Sequence, residues 1–344
     1  MVAKRMDRRT FTLAGLATAA IAVAPRSSAN VPDRTGWQIA DLTSDGLRHA
    51  RGGMADSGLP VSDRTLFQVA SCSKTVAALS VFTLVRDGLV KLDDPVNGHL
   101  QRWQLTGPRS DRTTIAELLS HTAGTNIHGF MGYGPNDEIP TVIEIKEGGG
   151  AALSPRIHTK RRWFKRYDYS GGGTTVLQCL IEDVADSSFR AYASEMVLRP
   201  IGAGEATFEL EPDRERAGGH LADGRRLPGG FVRHPESAAA GLWASATDLV
   251  TIMRSILDSL NGDTDALLPQ NLALQMITPV SAGEAHGVFV DPGETIGHDG
   301  RNEGFESAMI ADLNSGRIRA GVTNRNGQMQ NVLDADHALH GRSE

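Results

Sequence analysis

The sequence predicts a mixed α/β (α+β) protein whose two chain ends build one antiparallel sheet flanked by helices, with a mostly helical part between them. The segment "WQIADLTSDGLRHARGG" (37–53) predicts two strands around an Asp45-Gly46 turn. The segment "ESAMIADLNSGRIRAGVTN" (306–324) predicts a hairpin that turns at Asn314-Ser315-Gly316. Helical patterns joined by Gly- and Pro-rich loops lie between these two segments. The α/β part therefore covers about 33–70 and 240–344, and the helical part about 71–239.

Several helices are predicted from apolar spacing. One follows Ser71 and stops at Asp87-Gly88, where glycine suits the position after a helix end. It is apolar on most sides, which is typical of a buried helix. "SATDLVTIMRSILDSL" (245–260) predicts an amphipathic helix with Thr247 as its N-cap. Further helices are predicted for 114–120, 174–185 and 189–198.

Charge and length limit the function classes. The 344 residues suffice for one large domain or two intimate ones, and the formal net charge is −6. Residues 1–29 carry a net charge of +4, which leaves −10 on the rest of the chain. This balance argues against nucleic acid or an anionic membrane as the main partner. The basic segment 156–166 is therefore interpreted as a solvated loop beside a site.

The first 29 residues resemble an export leader. The basic stretch "KRMDRRTF" precedes an uncharged run from Phe11 to Pro25, and small residues in "RSSAN" suit cleavage after Ala29. The "RRTF" pair resembles a twin-arginine signal, which predicts export to the periplasm or beyond it. The alternative is an N-terminal helix that stays in the protein. We take 1–29 as the signal and 30–344 as the mature domain, in which no stretch is apolar enough to span a membrane.

Cofactor and metal motifs are missing from the sequence. Cys72 and Cys179 are the only cysteines, and their apolar helical contexts predict two buried free thiols rather than a disulfide. The chain contains no Cys-x-x-Cys and no His-Glu-x-x-His, so zinc has no support. The glycine runs 148–150 and 171–173 lack the following Lys-Ser/Thr of a phosphate-binding loop. No Gly-x-Ser-x-Gly indicates an α/β-hydrolase nucleophile. We expect no cofactor.

"FQVASCSKTV" (67–76) carries the first sign of chemistry. Ser71 and Lys74 lie three apart and so share a helix face. A serine is a poor nucleophile until a base takes its proton, and a buried ammonium is costly unless its pKa falls or polar groups surround it. Lys74 either extends to solvent or belongs to a polar site with Ser71. At a helix start, the Ser71 backbone N–H is also free to stabilise an oxyanion.

Further segments occur with this pair in a recognisable order. Together they resemble the class C β-lactamase-like branch of the serine β-lactamase and penicillin-binding-protein superfamily, which includes esterases and D-aminopeptidases. The resemblance runs from about Leu47 to Asn326, and Ser71-x-x-Lys74 is its first motif. The other matching segments are "LLSHTAGT" (118–125), "YSGGGTTVLQCLIEDV" (169–184), "AGLWASATDLVTIM" (240–253) and "GHDGRNEGF" (297–305).

The resemblance implies roles for individual residues. Ser71 is implied as the nucleophile of a two-step acyl transfer, with Lys74 and Tyr169 as general base. His298 and Gly300 are implied to line the opposite wall. There, the Arg301 backbone N–H would be the second oxyanion donor beside that of Ser71. His121 is expected to organise a loop by hydrogen bonds.

Two motif positions depart from the pattern of a β-lactamase. Gly171 replaces the Asn of Tyr-x-Asn, and His298-Asp299-Gly300 replaces Lys-Thr-Gly. The changes remove an amide that binds substrate and a fixed positive charge that meets a β-lactam carboxylate. We therefore expect a serine hydrolase acting on an ester or a D-amino-acid amide or peptide. A β-lactamase, an acyltransferase, or a non-catalytic ligand-binding or sensor module remain alternatives. The substrate and the oligomeric state are not determined by the sequence.

Overall fold

The computed structural model describes residues 35–161, 166–209, 214–280, 283–291 and 293–334. The predicted leader and its cleavage site lie outside the described residues and remain predictions. In the described part of the chain, no helix is both long and apolar enough to cross a membrane.

Strands from both chain ends form one six-stranded antiparallel sheet, as predicted. Its order is β2-β1-β10-β9-β8-β7, so the N-terminal hairpin pairs directly with the C-terminal strands. Two short strand pairs, β3-β4 and β5-β6, lie outside it. The strands are β1 (Trp37–Thr43), β2 (Gly46–Gly52), β3 (Met54–Asp56), β4 (Leu59–Pro60), β5 (Phe67–Gln68), β6 (Trp243–Ala244), β7 (Phe289–Asp291), β8 (Thr295–Asn302), β9 (Phe305–Asp312) and β10 (Ile318–Thr323).

Turn chemistry sets the register of the two predicted hairpins. Gly46 follows the β1-β2 turn with φ +113°, a conformation that glycine adopts without strain. In the β9-β10 connection, Asp312 Oδ1 accepts hydrogen bonds from the backbone N–H groups of Asn314 and Ser315. Gly316 then has φ +71°. The polar turn residues thus form the two hairpin turns that the sequence predicts.

The helices lie mainly between the strand groups. The longest are α1, α4 and α7, and α7 packs against β1 and β10 while α9 packs against the same two strands. Ile39 of β1 and Val332 of α9 form a small apolar cluster separate from the main core. The helices are α1 (Ser73–Arg86), α2 (Ile115–Leu119), α3 (Val142–Glu147), α4 (Gly171–Ala185), α5 (Phe189–Ala193), α6 (Ser237–Ala240), α7 (Ala246–Asn261), α8 (Gln270–Ile277) and α9 (Met329–Leu333).

Three helix boundaries differ from the sequence prediction. The N-cap of α7 is Ser245, not Thr247, because Ser245 and Asp248 form a reciprocal capping box. The helix predicted to begin at residue 174 begins at Gly171, because the Ser170 hydroxyl accepts from the Gly173 N–H and caps it. The segment predicted as one helix, 189–198, is α5 followed by a turn of π-helix.

The helix predicted to follow Ser71 is the central buried helix of the molecule. A 3₁₀ turn, Ala70–Cys72, leads into α1, whose residues from Ser73 to Leu84 are buried. α1 packs on α4 and α6, while the 3₁₀ turn packs on β8. This arrangement holds the start of the helix at the junction between the sheet and the helical part, where pockets commonly form.

Candidate active site

Ser71 lies on a backbone that the surrounding packing holds in an unusual conformation. Ala70, the preceding residue, has φ +46°, in the left-handed region that side chains other than glycine rarely adopt. Such strain persists only where neighbours enforce it, and it is concentrated at functional sites. The Ser73 hydroxyl, which donates to the Ala70 carbonyl at 2.5 Å, is one such neighbour. The turn leaves Ser71 half-buried at the start of α1.

Lys74 belongs to a polar site and does not extend to solvent. Its side chain is buried, with Nζ 3.1 Å from Ser71 Oγ and 2.7 Å from the Ala239 carbonyl oxygen, to which it donates. Burial lowers the pKa of Lys74 to about 7. A neutral amine can donate one N–H to the Ala239 carbonyl and still offer its lone pair to the Ser71 hydroxyl.

Tyr169 is the third member of the group. It hydrogen-bonds Ser71, and burial raises the pKa of its phenol well above the usual value of about 10. The phenol is therefore protonated at neutral pH. Lys74 Nζ lies 5.1 Å from the centre of its ring. The raised pKa therefore favours a hydrogen-bonded hydroxyl over a phenolate at Tyr169.

His121 holds the segment that carries Tyr169, as expected from the sequence. Its Nδ1 accepts a hydrogen bond from the Ser170 N–H at 3.2 Å, and its carbonyl accepts one from the Asp168 N–H at 2.8 Å. The His121 and Tyr169 ring centres are 4.5 Å apart. Burial holds the pKa of His121 well below its usual range, so the ring is neutral at physiological pH and Nδ1 can accept.

Gly300 lies against the nucleophile turn. A Cβ at this position would be 2.2 Å from the Val69 carbonyl oxygen and 2.9 Å from the Ser71 backbone nitrogen. These two atoms belong to the turn that carries the nucleophile. A glycine is needed here for β8 to pack beside Ser71, which brings the adjacent Arg301 backbone to the same place.

His298 is buried behind the cavity surface. Its Nδ1 donates to the Asp299 carbonyl at 2.6 Å, and its ring centre is 4.5 Å from that of Phe289. Burial, with the nearby charge of Lys74, lowers the pKa of His298 to about 3. The ring is thus neutral at physiological pH and does not replace the fixed positive charge that Lys-Thr-Gly would supply.

Gly171 leaves no side chain at the position of the Asn in the resembled motif. Its N–H donates to the His128 carbonyl at 2.8 Å, and a Cβ would be 3.1 Å from the Phe130 ring. The segment His128–Phe130 thus lies against this position. The resembled motif has an Asn amide here that could orient a substrate. In this chain the position offers only the backbone of Gly171 and the edge of the Phe130 ring.

One cavity joins most of the predicted residues. It has a volume of about 690 Å³, which is within the usual range for small-molecule sites. His298 is the one predicted site residue that does not line it. The predicted residues that do are Ser71, Lys74, Tyr169, Gly171, Gly300 and Arg301.

Three acidic or phenolic residues near this cavity had no role of their own predicted from the sequence, although Asp299 was named as part of the His298-Asp299-Gly300 motif. Tyr167 and Asp299 line it, and Tyr167 hydrogen-bonds Glu284. Burial raises the pKa of Glu284 to about 8, and it also raises the pKa of Asp299. The spacing of Tyr167, two residues before Tyr169, was an available signal. Glu284 lies in a loop and had none.

Both cysteines are buried free thiols, as predicted. Burial raises the pKa of Cys72 to about 12 and that of Cys179 to about 11, so neither is an activated nucleophile. Across the described residues, no group of three or more His, Cys, Asp or Glu side chains could hold a metal ion.

The fold and the Ser71-Lys74-Tyr169 group define a protein of the serine β-lactamase and penicillin-binding-protein class. The Beta-lactamase family model matches residues 28–342, and the chain belongs to that family. It is 26% identical over 289 residues to "Uncharacterized protein MT1414" of Mycobacterium tuberculosis, covering 75% of this chain and 69% of the relative. It is 26% identical over 309 residues to "Esterase EstB" of Burkholderia gladioli, covering 79% and 77%.

Solved structures share the fold. The D-amino acid amidase of Ochrobactrum anthropi SV3 superposes with a TM-score of 0.71 at 21% identity, covering 89% of this chain and 93% of the amidase. At that identity the likeness shows the fold alone. The family match, with an esterase among the relatives, supports a hydrolytic function.

Proposed function

We propose that this protein is a serine hydrolase that works through an acyl-enzyme on Ser71. The observation that carries the proposal is the 3.1 Å approach of Lys74 Nζ to Ser71 Oγ, with Tyr169 hydrogen-bonded to the same hydroxyl at the wall of one cavity. A nucleophile in contact with a base, and a third group that holds the nucleophile, are the parts that acyl transfer needs.

Proton movement follows from the two pKa shifts. Because the pKa of Lys74 is near neutrality, a large fraction of the amine is free to accept the Ser71 proton. Ser71 Oγ then attacks the substrate carbonyl and forms a tetrahedral oxyanion. The protonated phenol of Tyr169 passes a proton to the leaving group and regains one from Lys74. Water, activated by the same groups, hydrolyses the resulting acyl-serine and restores the free hydroxyl.

Two backbone N–H groups would stabilise the oxyanion. Ser71 is in the first turn before α1, where N–H groups have no partner within the helix. The contact of Gly300 with the Ser71 nitrogen brings β8, and with it the Arg301 N–H, to the same side of the cavity. One such donor contributes about 10²–10³ in turnover.

The charges around the cavity favour substrates without a carboxylate next to the reacting carbonyl. Asp299 stands where the resembled motif has a neutral threonine, and the neighbouring His298 is uncharged at neutral pH. Gly171 offers no amide. We therefore propose an ester or a D-amino-acid amide as substrate in preference to a β-lactam. Esterase EstB and the D-amino acid amidase among the similar proteins are in line with these two classes.

Turnover of two chromogenic substrates tests this preference. We expect kcat/KM for p-nitrophenyl acetate to exceed that for a chromogenic cephalosporin by at least about 100-fold, since the missing fixed positive charge and the missing amide each cost about 1.4 kcal/mol or more. A cephalosporin turned over as well as the ester would contradict the proposed substrate class, although it would leave the serine mechanism intact.

Tyr169→Phe tests the proton relay. We expect the rate of acylation to fall by about 10²–10⁴, because the proton path to the leaving group is lost. The matched control is Tyr192→Phe, which removes a phenol that hydrogen-bonds Thr83 away from the cavity. Stopped-flow ester cleavage measures both variants. A Tyr169→Phe rate equal to that of Tyr192→Phe would remove Tyr169 from the mechanism.

A further inference from the structure

A second cavity lies next to the Ser71 cavity and has no part in the proposed reaction. Its volume is about 250 Å³, and its wall includes His128, Gly129 and Phe130, which also line the Ser71 cavity. We call it the Glu236 cavity after its acidic residue. Its remaining lining residues are Asn126, Ile127, Met131, Gly132, Tyr133, Leu153, Ser154 and Pro155.

Three polar side chains here have buried atoms without hydrogen-bond partners: Glu236 and Ser154, which line the cavity, and His234, which lies next to Glu236. Glu236 is fully buried, and neither of its carboxylate oxygens has a hydrogen-bond partner. His234 Nδ1 lies 4.0 Å from Glu236 Oε2, beyond hydrogen-bond distance, and both ring nitrogens are also without partners. The Ser154 hydroxyl is buried and unpartnered as well. Five buried polar atoms of three side chains thus lack partners at one place.

Such a group of atoms is costly to leave unsatisfied. A buried polar atom without a partner costs about 1–3 kcal/mol, and more when it is charged. An ionised carboxyl group can only accept hydrogen bonds, while a neutral imidazole offers one acceptor and one donor. Acceptors thus predominate, and a partner rich in N–H or O–H donors would satisfy them. Burial raises the pKa of Glu236 to about 7, and a bound cation would hold the carboxyl group ionised.

The mouth of the cavity is lined by apolar side chains, unlike its polar interior. Met131 is 79% exposed and Leu153 is 58% exposed, and both line the cavity. Large apolar side chains at a mouth above a buried carboxylate match a ligand with an apolar chain and a cationic end.

We propose that the Glu236 cavity binds a primary alkylammonium group. The ammonium donates to Glu236 and Ser154, which line the cavity, and the alkyl chain packs against Met131 and Leu153. The ligand is a free alkylamine or the lysine-like side chain of a substrate held at Ser71. The site also adjoins the catalytic group, because the Glu236 carbonyl accepts from the Ala239 N–H and the Ala239 carbonyl holds Lys74.

Isothermal titration of the Ser71→Ala protein with n-pentylamine tests the binding without turnover. We expect pentylamine to bind at least about tenfold more tightly than n-pentanol, and Glu236→Gln to remove that difference. Asp299→Asn, which changes an acid in the Ser71 cavity instead, is the control and should leave pentylamine binding unchanged. Equal affinities for the amine and the alcohol, or a loss caused by Asp299→Asn rather than Glu236→Gln, would overturn the proposal.

A surface variant covers the case in which Glu236→Gln does not fold. Leu153→Lys places an ammonium at the exposed mouth and should weaken pentylamine binding at least about tenfold, whereas Leu153→Gln should do so by much less. Equal effects of the two variants would count against a cationic ligand.

Ester hydrolysis assays distinguish a free alkylamine from the side chain of a substrate as the source of the ammonium. This test rests on the proposed function. A preference for acetyl-lysine over acetyl-norleucine methyl ester that disappears in Glu236→Gln assigns the group to the substrate. Amine binding without such a preference assigns it to a free alkylamine. Absence of ester turnover, with amine binding retained, would contradict the hydrolase alone.

Discussion

Ser71→Ala is expected to lower kcat/KM for p-nitrophenyl acetate by at least about 10⁴-fold, because Ser71 carries the hydroxyl that Lys74 contacts. The other serine of the cavity, Ser307, donates its hydroxyl to the Val69 carbonyl instead. Lys74 and Tyr169 remain in this variant, but they have no hydroxyl to activate. The thiol of the adjacent Cys72 is not a substitute, since burial raises its pKa to about 12. Initial rates measured near pH 8 give the comparison.

The matched control for this variant is Ser80→Ala. Ser80 is also a buried serine of α1, but its hydroxyl donates to the Val76 carbonyl and does not line the cavity. We expect near-normal turnover from it. Melting temperatures of both variants establish that they are folded. Turnover by Ser71→Ala close to that of Ser80→Ala would show that Ser71 is not the nucleophile.

Lys74→Met is expected to reduce acylation by at least about 10³-fold and to change the pH profile. In the wild type the neutral amine is the base, so kcat/KM should rise with pH through about 7, the pKa that burial gives Lys74. The variant should lack that rise. The matched control is Lys146→Met, which removes another fully buried lysine, one that lies over the Trp103 ring. It should keep the wild-type profile.

Because of Lys74, the free energy of unfolding should rise with pH above neutrality. Its pKa is about 7 in the folded protein, against 10.5 for a lysine exposed to water. Between these values the unfolded chain binds the extra proton, so the free energy of unfolding rises with pH in that window. Denaturant titrations of Lys74→Met should show a smaller rise than those of the wild type. The same slope of the unfolding free energy against pH in both proteins would contradict a neutral Lys74. A wild-type kcat/KM that does not rise with pH near 7 would contradict it as well.

The sequence was sufficient for features that depend on local chemistry. Asp45-Gly46 and Asn314–Gly316 carry turn chemistry, and the structure forms hairpins at both places. The Ser71-Lys74 spacing depends only on helix geometry, and the two side chains meet. The start of α4 was missed because glycine runs favour loops, whereas the Ser170 cap overcomes that preference.

Features that depend on distant parts of the chain were beyond the sequence. The burial of His298 depends on how Phe289 packs against it across the edge of the sheet. The hydrogen bond between Tyr167 and Glu284 joins residues more than 100 positions apart, and no local pattern relates them. Gly300 illustrates the same limit, since a side chain there would collide with the carbonyl of Val69, more than 200 residues away in the chain.

Intact-protein mass spectrometry after reaction with a fluorophosphonate probe shows whether Ser71 is the nucleophile. We predict one adduct per chain, located by peptide mapping on Ser71 and absent from Ser71→Ala. Ser80→Ala should be labelled like the wild type. No adduct on a folded wild-type protein, or an adduct on another residue, would contradict a Ser71 acyl-enzyme. The first of these results would point to a ligand-binding module that keeps the fold without the reaction.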